Sequence, residues 1–221
     1  MKEHWVLSRS EKMSENDVKQ IDFNEDTLNI LYDTAVAIRK ENHNNPDNKT
    51  IFSSLNKQKA TIDAAMHIAY ILTQLKDRVL VVNLDGQSVA YVEEYIHSKA
   101  KPNLFTTLKT SMFLSEAINP TECEKLDIIH VEDLPEEDLK KKFNEYNVLS
   151  KLSPLKNYYD NIFIIGPEVS NIDSYGTYLE LADSALTVIS AKNNNRKDLK
   201  HYLQKINLFN VKSFGILRKA D

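Results

Sequence analysis

The hydrophobic pattern along the chain changes between helical spacing and short continuous apolar runs. In "NEDTLNILYDTAVAIRKEN", apolar residues recur at helical spacing, with acids early and bases late, which predicts a helix over residues 25–41. Residues 58–76 are apolar on nearly all sides, as expected for a buried helix. Runs such as "RVLVVNL" (78–84) are typical of strands in a parallel sheet that is covered on both faces.

Taken together, these segments predict a strand–helix alternation along most of the chain. The predicted strands are 50–54, 78–84, 126–132, 161–166, 184–190 and 213–218. The predicted helices are 25–41, 58–76, 88–98, 103–109, 111–118, 135–152, 174–182 and 196–207. This order predicts one α/β domain over residues 24–221, with a doubly wound, mostly parallel sheet between two layers of helices. Residues 1–23 are polar and mixed, and we expect a flexible N-terminal arm there.

Composition limits the classes of function that remain open. The 221 residues include 32 acids and 28 bases, a formal net charge of −4 that argues against nucleic-acid binding through net charge. The single cysteine, Cys123, excludes an internal disulfide and a cysteine-based metal site. No apolar run approaches the roughly 20 residues needed to span a bilayer, and no signal-peptide core is visible. We therefore expect a cytoplasmic protein with no direct membrane insertion, which reaches the inner face of the cell membrane only through a partner.

The loop between the first strand and the buried helix, "SLNKQKATID", contains no glycine. A phosphate loop needs glycines so that consecutive N–H groups can surround phosphate oxygens, together with a lysine and a magnesium-binding hydroxyl. Lys57 and Lys59 supply charge without that backbone, so we expect no phosphate binding here. Asp63 lies near the predicted helix start and has two interpretations: it stabilises the first turn, or its carboxylate repels an anion.

Two further loops follow strand ends at the edge where such sheets bind ligands. Asp85 precedes Gly86, which favours a turn, although it could instead hold a metal-bound water or orient a nucleophile. The strand near 161–166 ends in Ile165 and Gly166, and Glu168 beyond it is a candidate for a displaced metal ligand.

Three isolated side chains have a structural interpretation. His67 is predicted to be a packed, hydrogen-bonded core histidine, His130 ends a strand without an obvious partner, and Cys123 is predicted to be inert.

Several local segments carry a resemblance through their sequence and order: "RVLVVNLD", "LSEAINPTECEKLDIIHVEDLPEEDL", "YYDNIFIIGPEVS", "LADSALTVISA" and "FGIL". With these segments the chain resembles the bacterial tyrosine kinases of capsular and exopolysaccharide biosynthesis. These are deviant P-loop ATPases related to the chromosome-partitioning ATPases. The resemblance covers residues 24–219 and implies a P-loop NTPase-like fold.

The resemblance also implies where the nucleotide site would lie, and most of its residue types are absent. The phosphate loop and its surroundings correspond to Lys57, Gln58, Lys59, Ala60, Thr61, Ile62 and Asp63. Its glycines fall near Gln58 and Ala60, its catalytic lysine at Thr61, and its magnesium-binding hydroxyl at Ile62.

The implied metal positions elsewhere are also changed. The second motif reads "NLD", with Asn83 at its first acid and Asp85 retained, and the third motif has Ile165 at its acid. The resemblance therefore implies that neither ATP nor Mg²⁺ binds and that no metal site remains. The Glu and two Arg that join subunits in a ring correspond to Asp26, Asn29 and Tyr32, which argues against that ring.

Three functions remain open from the sequence. The first is a catalytically inactive pseudokinase that regulates polysaccharide synthesis by binding the cytoplasmic tail of a membrane co-polymerase, or a kinase paralogue. The second is an active but atypical tyrosine kinase in which Lys57 and Lys59 replace the catalytic lysine, and Asp85 with Glu168 holds the metal. The third is a binding module that shares only the fold and has no link to polysaccharides.

Overall fold

Seven strands form one sheet in the part of the chain that the computed structural model describes, which is residues 24–44, 48–96, 103–110, 113–191 and 196–219. The strands are β1 (Lys49–Leu55), β2 (Val79–Asn83), β3 (Asn119–Pro120), β4 (Leu126–His130), β5 (Asn161–Glu168), β6 (Ser184–Ser190) and β7 (Lys212–Lys219). Their order across the sheet is β3-β4-β2-β5-β1-β6-β7. All neighbours pair in parallel except β3, which runs antiparallel to β4. The predicted doubly wound, mostly parallel sheet is confirmed.

Helices cover both faces of this sheet. They are α1 (Glu25–Asn44), α2 (Gln58–Gln74), α3 (Val89–Ile96), α4 (Leu104–Thr110), α5 (Glu136–Glu145), α6 (Val148–Leu152), α7 (Gly176–Leu179) and α8 (Arg196–Leu208). Short 3-10 turns lie at Gly86–Ser88, Leu114–Ala117 and Ser153–Asn157. Within the described ranges, no helix combines the length and the apolar character needed to cross a membrane.

All six predicted strands are present, but four local predictions were wrong. The strand β3 was missed because its two residues carry no hydrophobic pattern. It lies at the edge of the sheet, where the missing N–H of its proline costs no hydrogen bond between strands. The segment predicted as helix 111–118 is described only from residue 113 and holds a 3-10 turn. Asn147, left-handed at φ 49°, divides the predicted helix 135–152, and the predicted helix 174–182 is a single α-helical turn. The predicted arm 1–23 lies outside the described residues.

Side chains of alternate residues in the central strands pack into two separate hydrophobic layers, one on each face of the sheet. Ile164 of β5 packs into the layer that includes α4, α5 and α8. Phe163 and Ile165 pack into the layer under α1, α2 and α3, where Ile62 is also buried. The sheet therefore holds the amino end of α2 firmly against the carboxyl ends of β1 and β5.

Candidate functional site

The connection between β1 and α2 is a tight turn. Strand β1 ends at Leu55 and α2 begins at Gln58, so only Asn56 and Lys57 lie between them. Asn56 adopts φ 84°, which asparagine tolerates better than most residues, and the Lys57 N–H donates to Ser54 Oγ at 2.5 Å. Most of the stretch that corresponds to a phosphate loop is therefore helix, and the turn is too short to place several N–H groups around a phosphate.

The side chain of Gln58 connects three elements at this edge of the sheet. Its Nε2 donates to Asp85 Oδ2, beyond β2, and to the backbone oxygen of Gly166 in β5, each at 2.9 Å. We call this contact the Gln58 bridge. Ligands of doubly wound sheets bind at the carboxyl ends of the strands, so the bridge occupies the entrance to that position.

An acidic cleft of about 430 Å³ lies beside the Gln58 bridge. Its walls include the carboxylates of Asp85, Asp133, Glu136 and Glu168. Among the described residues that line it, none is Lys or Arg. Like charges repel strongly where water is partly excluded, so the cleft disfavours a polyanion such as a nucleotide phosphate chain.

Asp85 begins the 3-10 turn at Gly86–Ser88. The Ser88 N–H and Oγ both donate to the Asp85 backbone oxygen, at 3.1 and 2.8 Å, as the turn interpretation requires. Burial raises the pKa of the Asp85 carboxyl, and the hydrogen bond from Gln58 opposes that rise. Gly86 is needed in this turn because a Cβ there would lie 2.4 Å from the backbone of Asp133.

The substitution Asp85→Asn is expected to stabilise the fold at neutral pH. Because burial raises the pKa of Asp85, the native state binds more protons than the unfolded chain between the two pKa values, so stability falls as pH rises through that interval. Asparagine keeps an acceptor for Gln58 and cannot ionise. Urea unfolding from pH 3 to pH 8 should show a gain for the variant at pH 7 that disappears below about pH 4. Equal stability of the two proteins at every pH would contradict this account.

Thr61 and Ile62, the implied lysine and magnesium-ligand positions on α2, do not line the cleft, whereas Gln58 does. Thr61 is fully buried and its hydroxyl donates to the backbone oxygen of Lys57 at 3.0 Å. Ile62 and Ile165, the implied magnesium positions, are buried in the same hydrophobic cluster. No group of three or more His, Cys, Asp or Glu side chains in the described ranges is placed to hold a metal ion. These residues do not fit a magnesium–nucleotide complex.

Asp63 joins α2 to α3. The hydroxyls of Tyr91 and Tyr95 both donate to its Oδ1, and burial together with this carboxylate raises the pKa of both tyrosines. No acid lies in the first turn of α2, so the expectation that Asp63 stabilises that turn was wrong. Its carboxylate accepts hydrogen bonds from α3, so the interpretation that it repels an anion gains no support either.

The two lysines of this region do not line the cleft. Lys59 Nζ lies 5.0 Å from the ring centroid of Tyr91, on the α3 side of α2. Neither Lys57 nor Lys59 is among the residues around the acidic cleft, whereas Asp85 and Glu168 are. The structure therefore does not bring together the four side chains that an atypical kinase would need.

His130 has partners that the sequence did not reveal. Its Nε2 lies 2.6 Å from Glu93 Oε1 on α3, and its Nδ1 lies 3.4 Å from Asn83 Nδ2. The Asn83 Oδ1 accepts the Asp85 N–H at 3.1 Å and the Ser88 hydroxyl at 3.2 Å. The partners of His130, which were not obvious in the sequence, lie on α3 and β2, and Asn83 orders the turn after β2.

The other two isolated side chains are half-buried. His67 Nδ1 lies 2.9 Å from the backbone oxygen of Asp63, which confirms the predicted hydrogen bond, and burial lowers its pKa. The prediction that His67 lies in the core was wrong, because its side chain is only partly buried. Burial raises the pKa of the Cys123 thiol, which disfavours the reactive thiolate.

Comparison with known proteins assigns the family. The model of the AAA domain family AAA_31 matches residues 56–217, which is most of the chain. The chain belongs to this AAA domain family. A comparison with curated proteins gave no match.

Solved structures share the fold of this AAA domain at low sequence identity. The kinase domain of the Escherichia coli tyrosine kinase ETK superposes with a TM-score of 0.77 at 12% identity, covering 98% of this chain and 86% of its own. The BceF tyrosine kinase domain gives 0.74 at 15%, covering 88% and 77%. Cobyrinic acid a,c-diamide synthase from Mycobacterium smegmatis, with bound ADP and magnesium, gives 0.58 at 18%, covering 77% and 74%. The predicted P-loop NTPase-like fold is confirmed.

Proposed function

We propose that this AAA domain is a catalytically inactive, tyrosine-kinase-like adaptor in capsular or exopolysaccharide synthesis. It binds the cytoplasmic tail of a membrane polysaccharide co-polymerase, or a kinase paralogue, and acts without ATP or Mg²⁺. Such a partner recruits it to the inner face of the cell membrane. The observation that carries the proposal is the Gln58 bridge, which joins Asp85 and Gly166 at the strand ends where a nucleotide would otherwise enter.

The negative charge of the cleft supports the proposal that the site is catalytically inactive. Phosphoryl transfer depends on positioning the phosphates and neutralising their charge with metal, lysine and backbone N–H groups. Here the turn after β1 is two residues long, and the adjacent cleft carries four carboxylates. Because Lys57 and Lys59 lie outside the cleft, the alternative of an active atypical kinase has no specific contact in its favour.

The acidic lining of the same cleft favours a partner segment with positive charge. Asp133, Glu136 and Glu168 line one continuous depression, and the rings of Tyr175 and Tyr178 form part of its wall. An extended segment with lysine or arginine side chains would gain from the carboxylates. In the kinase family that the chain resembles, the membrane activator packs its tail near the nucleotide site, and we propose the same edge of the sheet for the partner of this chain.

The test is a titration of the purified chain with a synthetic peptide of a co-polymerase's cytoplasmic tail, followed by fluorescence anisotropy. We expect binding that is unchanged by ATP with magnesium and weaker in Glu136→Gln/Glu168→Gln. Glu124→Gln is the matched control, since Glu124 is an exposed acid just before the amino end of β4, away from the cleft. A complete absence of binding to co-polymerase tails and kinase paralogues would overturn the proposal.

A further inference from the structure

A polar cavity of about 400 Å³ lies at the amino ends of β1 and β5, whereas the acidic cleft lies at the carboxyl ends of the strands. We call it the amino-end cavity. The residues around it include Asn42, His43, Asn48, Lys156, Asn157 and Asp160. Among its described lining residues, none is aliphatic. Ligand pockets of this volume are usually lined by apolar side chains, so a lining of amides and charges suits a small polar molecule.

Hydrogen bonds hold the floor of the amino-end cavity in place. Asn42, Asn48 and Tyr159 line the cavity and are almost fully buried. Asn42 Nδ2 donates to Asn161 Oδ1 at 2.7 Å, and Asn161 Nδ2 donates to Asp77 Oδ2 at 3.1 Å. Asn48 Nδ2 donates to the backbone oxygen of Tyr159 at 2.7 Å. Because these bonds already fix the polar groups, a ligand would lose little affinity to ordering them.

One acceptor in this floor has no donor. The Asn48 side chain is 5% exposed, and its Oδ1 has no hydrogen-bond partner in the part of the chain that the structure describes. Buried polar atoms are nearly always paired, so an unpaired one indicates a place for a water, an ion or a ligand. A donor group bound in the amino-end cavity, which borders Asn48, would complete this pair.

Two opposite charges line the amino-end cavity without pairing. Lys156 and Asp160 are both exposed, and neither forms an ion pair with the other or with a third described residue. Asp160 Oδ2 accepts the Arg78 N–H at 2.7 Å, which orients the carboxylate. Asn42 and His43 belong to the last turn of α1, where carbonyl oxygens without a helical partner favour a positive charge. The cavity therefore offers positive and negative contacts to one bound molecule.

We infer that the amino-end cavity binds a free α-amino acid with an uncharged polar side chain. The carboxylate of the amino acid pairs with Lys156, and its ammonium group donates to Asp160 and to Asn48 Oδ1. The amide of Asn157 is the contact for the ligand side chain. A simple anion or a simple amine would leave one of the two charges of the cavity without a partner. The inference does not depend on the proposed adaptor function, because that function uses the opposite ends of the strands.

Backbone-amide NMR of the full chain, titrated with L-asparagine, tests the inference. We expect saturable shifts of the resonances of Asn42, Asn48 and Asn157, with a dissociation constant below about 1 mM. Succinamate lacks the ammonium group and L-asparaginamide lacks the carboxylate, so each should bind at least about tenfold more weakly. An absence of shifts with L-asparagine, L-glutamine, L-serine and L-threonine would overturn the inference, and so would shifts confined to the acidic cleft.

Two charge-removing variants assign the contacts separately. Lys156→Gln should weaken the binding of L-asparagine at least about tenfold without weakening that of L-asparaginamide, which has no carboxylate. Asp160→Asn should weaken the binding of L-asparagine to a similar extent without weakening that of succinamate, which has no ammonium group. The substituted amide at position 160 keeps an acceptor for the Arg78 N–H, so the fold is expected to persist.

Lys109→Gln is the matched control for these variants. Lys109 is an exposed lysine on α4 that does not line the amino-end cavity, and its removal should leave the binding of L-asparagine unchanged. Circular dichroism melting verifies that each variant is folded. If Lys156→Gln and Asp160→Asn are folded and bind L-asparagine as tightly as the unmodified chain, the assigned site is wrong. Equal weakening of all three ligands by either variant would also overturn the assigned contacts.

Discussion

Calorimetric titration of the purified chain with ATP and magnesium is expected to give no measurable binding, which corresponds to a dissociation constant above about 1 mM. The triphosphate brings several negative charges to an edge of the sheet where Gln58 already bonds Asp85 and Gly166. Its magnesium would meet Ile62 and Ile165, whose side chains belong to the hydrophobic core. Cobyrinic acid a,c-diamide synthase from Mycobacterium smegmatis is a suitable positive control, since its structure holds ADP and magnesium.

The variant Gln58→Ala tests whether ATP is excluded by the Gln58 side chain alone or by the loss of the whole nucleotide site. Removing Gln58 opens the path to the cleft, but the two-residue turn and the four carboxylates remain. We therefore expect no ATP binding in this variant either. Low-micromolar affinity in the unmodified chain would contradict the inactive site. Incorporation of labelled phosphate that disappears in Asp85→Ala would favour the atypical kinase instead.

Replacing Asp63 by Ala is expected to lower the free energy of unfolding by about 2–4 kcal/mol. The substitution leaves the hydroxyls of Tyr91 and Tyr95 without their carboxylate acceptor, and hydrogen bonds to charged groups contribute more than neutral ones. Urea unfolding at pH 7 measures the loss. Tyr91→Phe is the control, because it removes one of the two bonds and should cost about 1 kcal/mol.

A double-mutant cycle between Asp63→Ala and Tyr95→Phe tests the contact itself. If the carboxylate stabilises the fold through these tyrosines, the two losses are not additive and the coupling exceeds about 0.5 kcal/mol. Additive losses, or a loss below about 0.5 kcal/mol for Asp63→Ala alone, would show that Asp63 does not hold α3 to α2.

The central strands of the sheet were predictable because they are buried on both faces. Strand β2 begins with four consecutive apolar residues, and the apolar residues of β6 are interrupted only by small Ser and Thr, so both can be recognised without knowledge of their neighbours. The two-residue β3 and the left-handed Asn147 were missed, since each depends on its tertiary surroundings rather than on a periodic pattern. Strand order also required the structure, because runs of similar composition can pair in several ways.

From the sequence, the only predictable feature of the candidate site was the absence of the residue types that bind a nucleotide. The absence of glycine after β1 and the isoleucines at 62 and 165 are visible in the sequence. The contacts that occupy the site join residues far apart in the chain: Gln58 reaches Asp85 and Gly166 across 27 and 108 positions. The pair His130–Glu93 spans 37 positions, on different elements. Such contacts depend on side-chain placement, which composition and spacing do not encode.

The Gln58 bridge bears on how the stability of the folded chain depends on ligand concentration in the cell. A protein that binds a ligand only when folded gains stability with the logarithm of ligand concentration above the dissociation constant, so its unfolding midpoint rises and falls with the supply of that ligand. A site spanned by the protein's own amide carries its stabilising contacts at all times. Under the proposal that this chain binds no nucleotide, its melting temperature should not change with the supply of ATP, whereas a bound partner would still raise it.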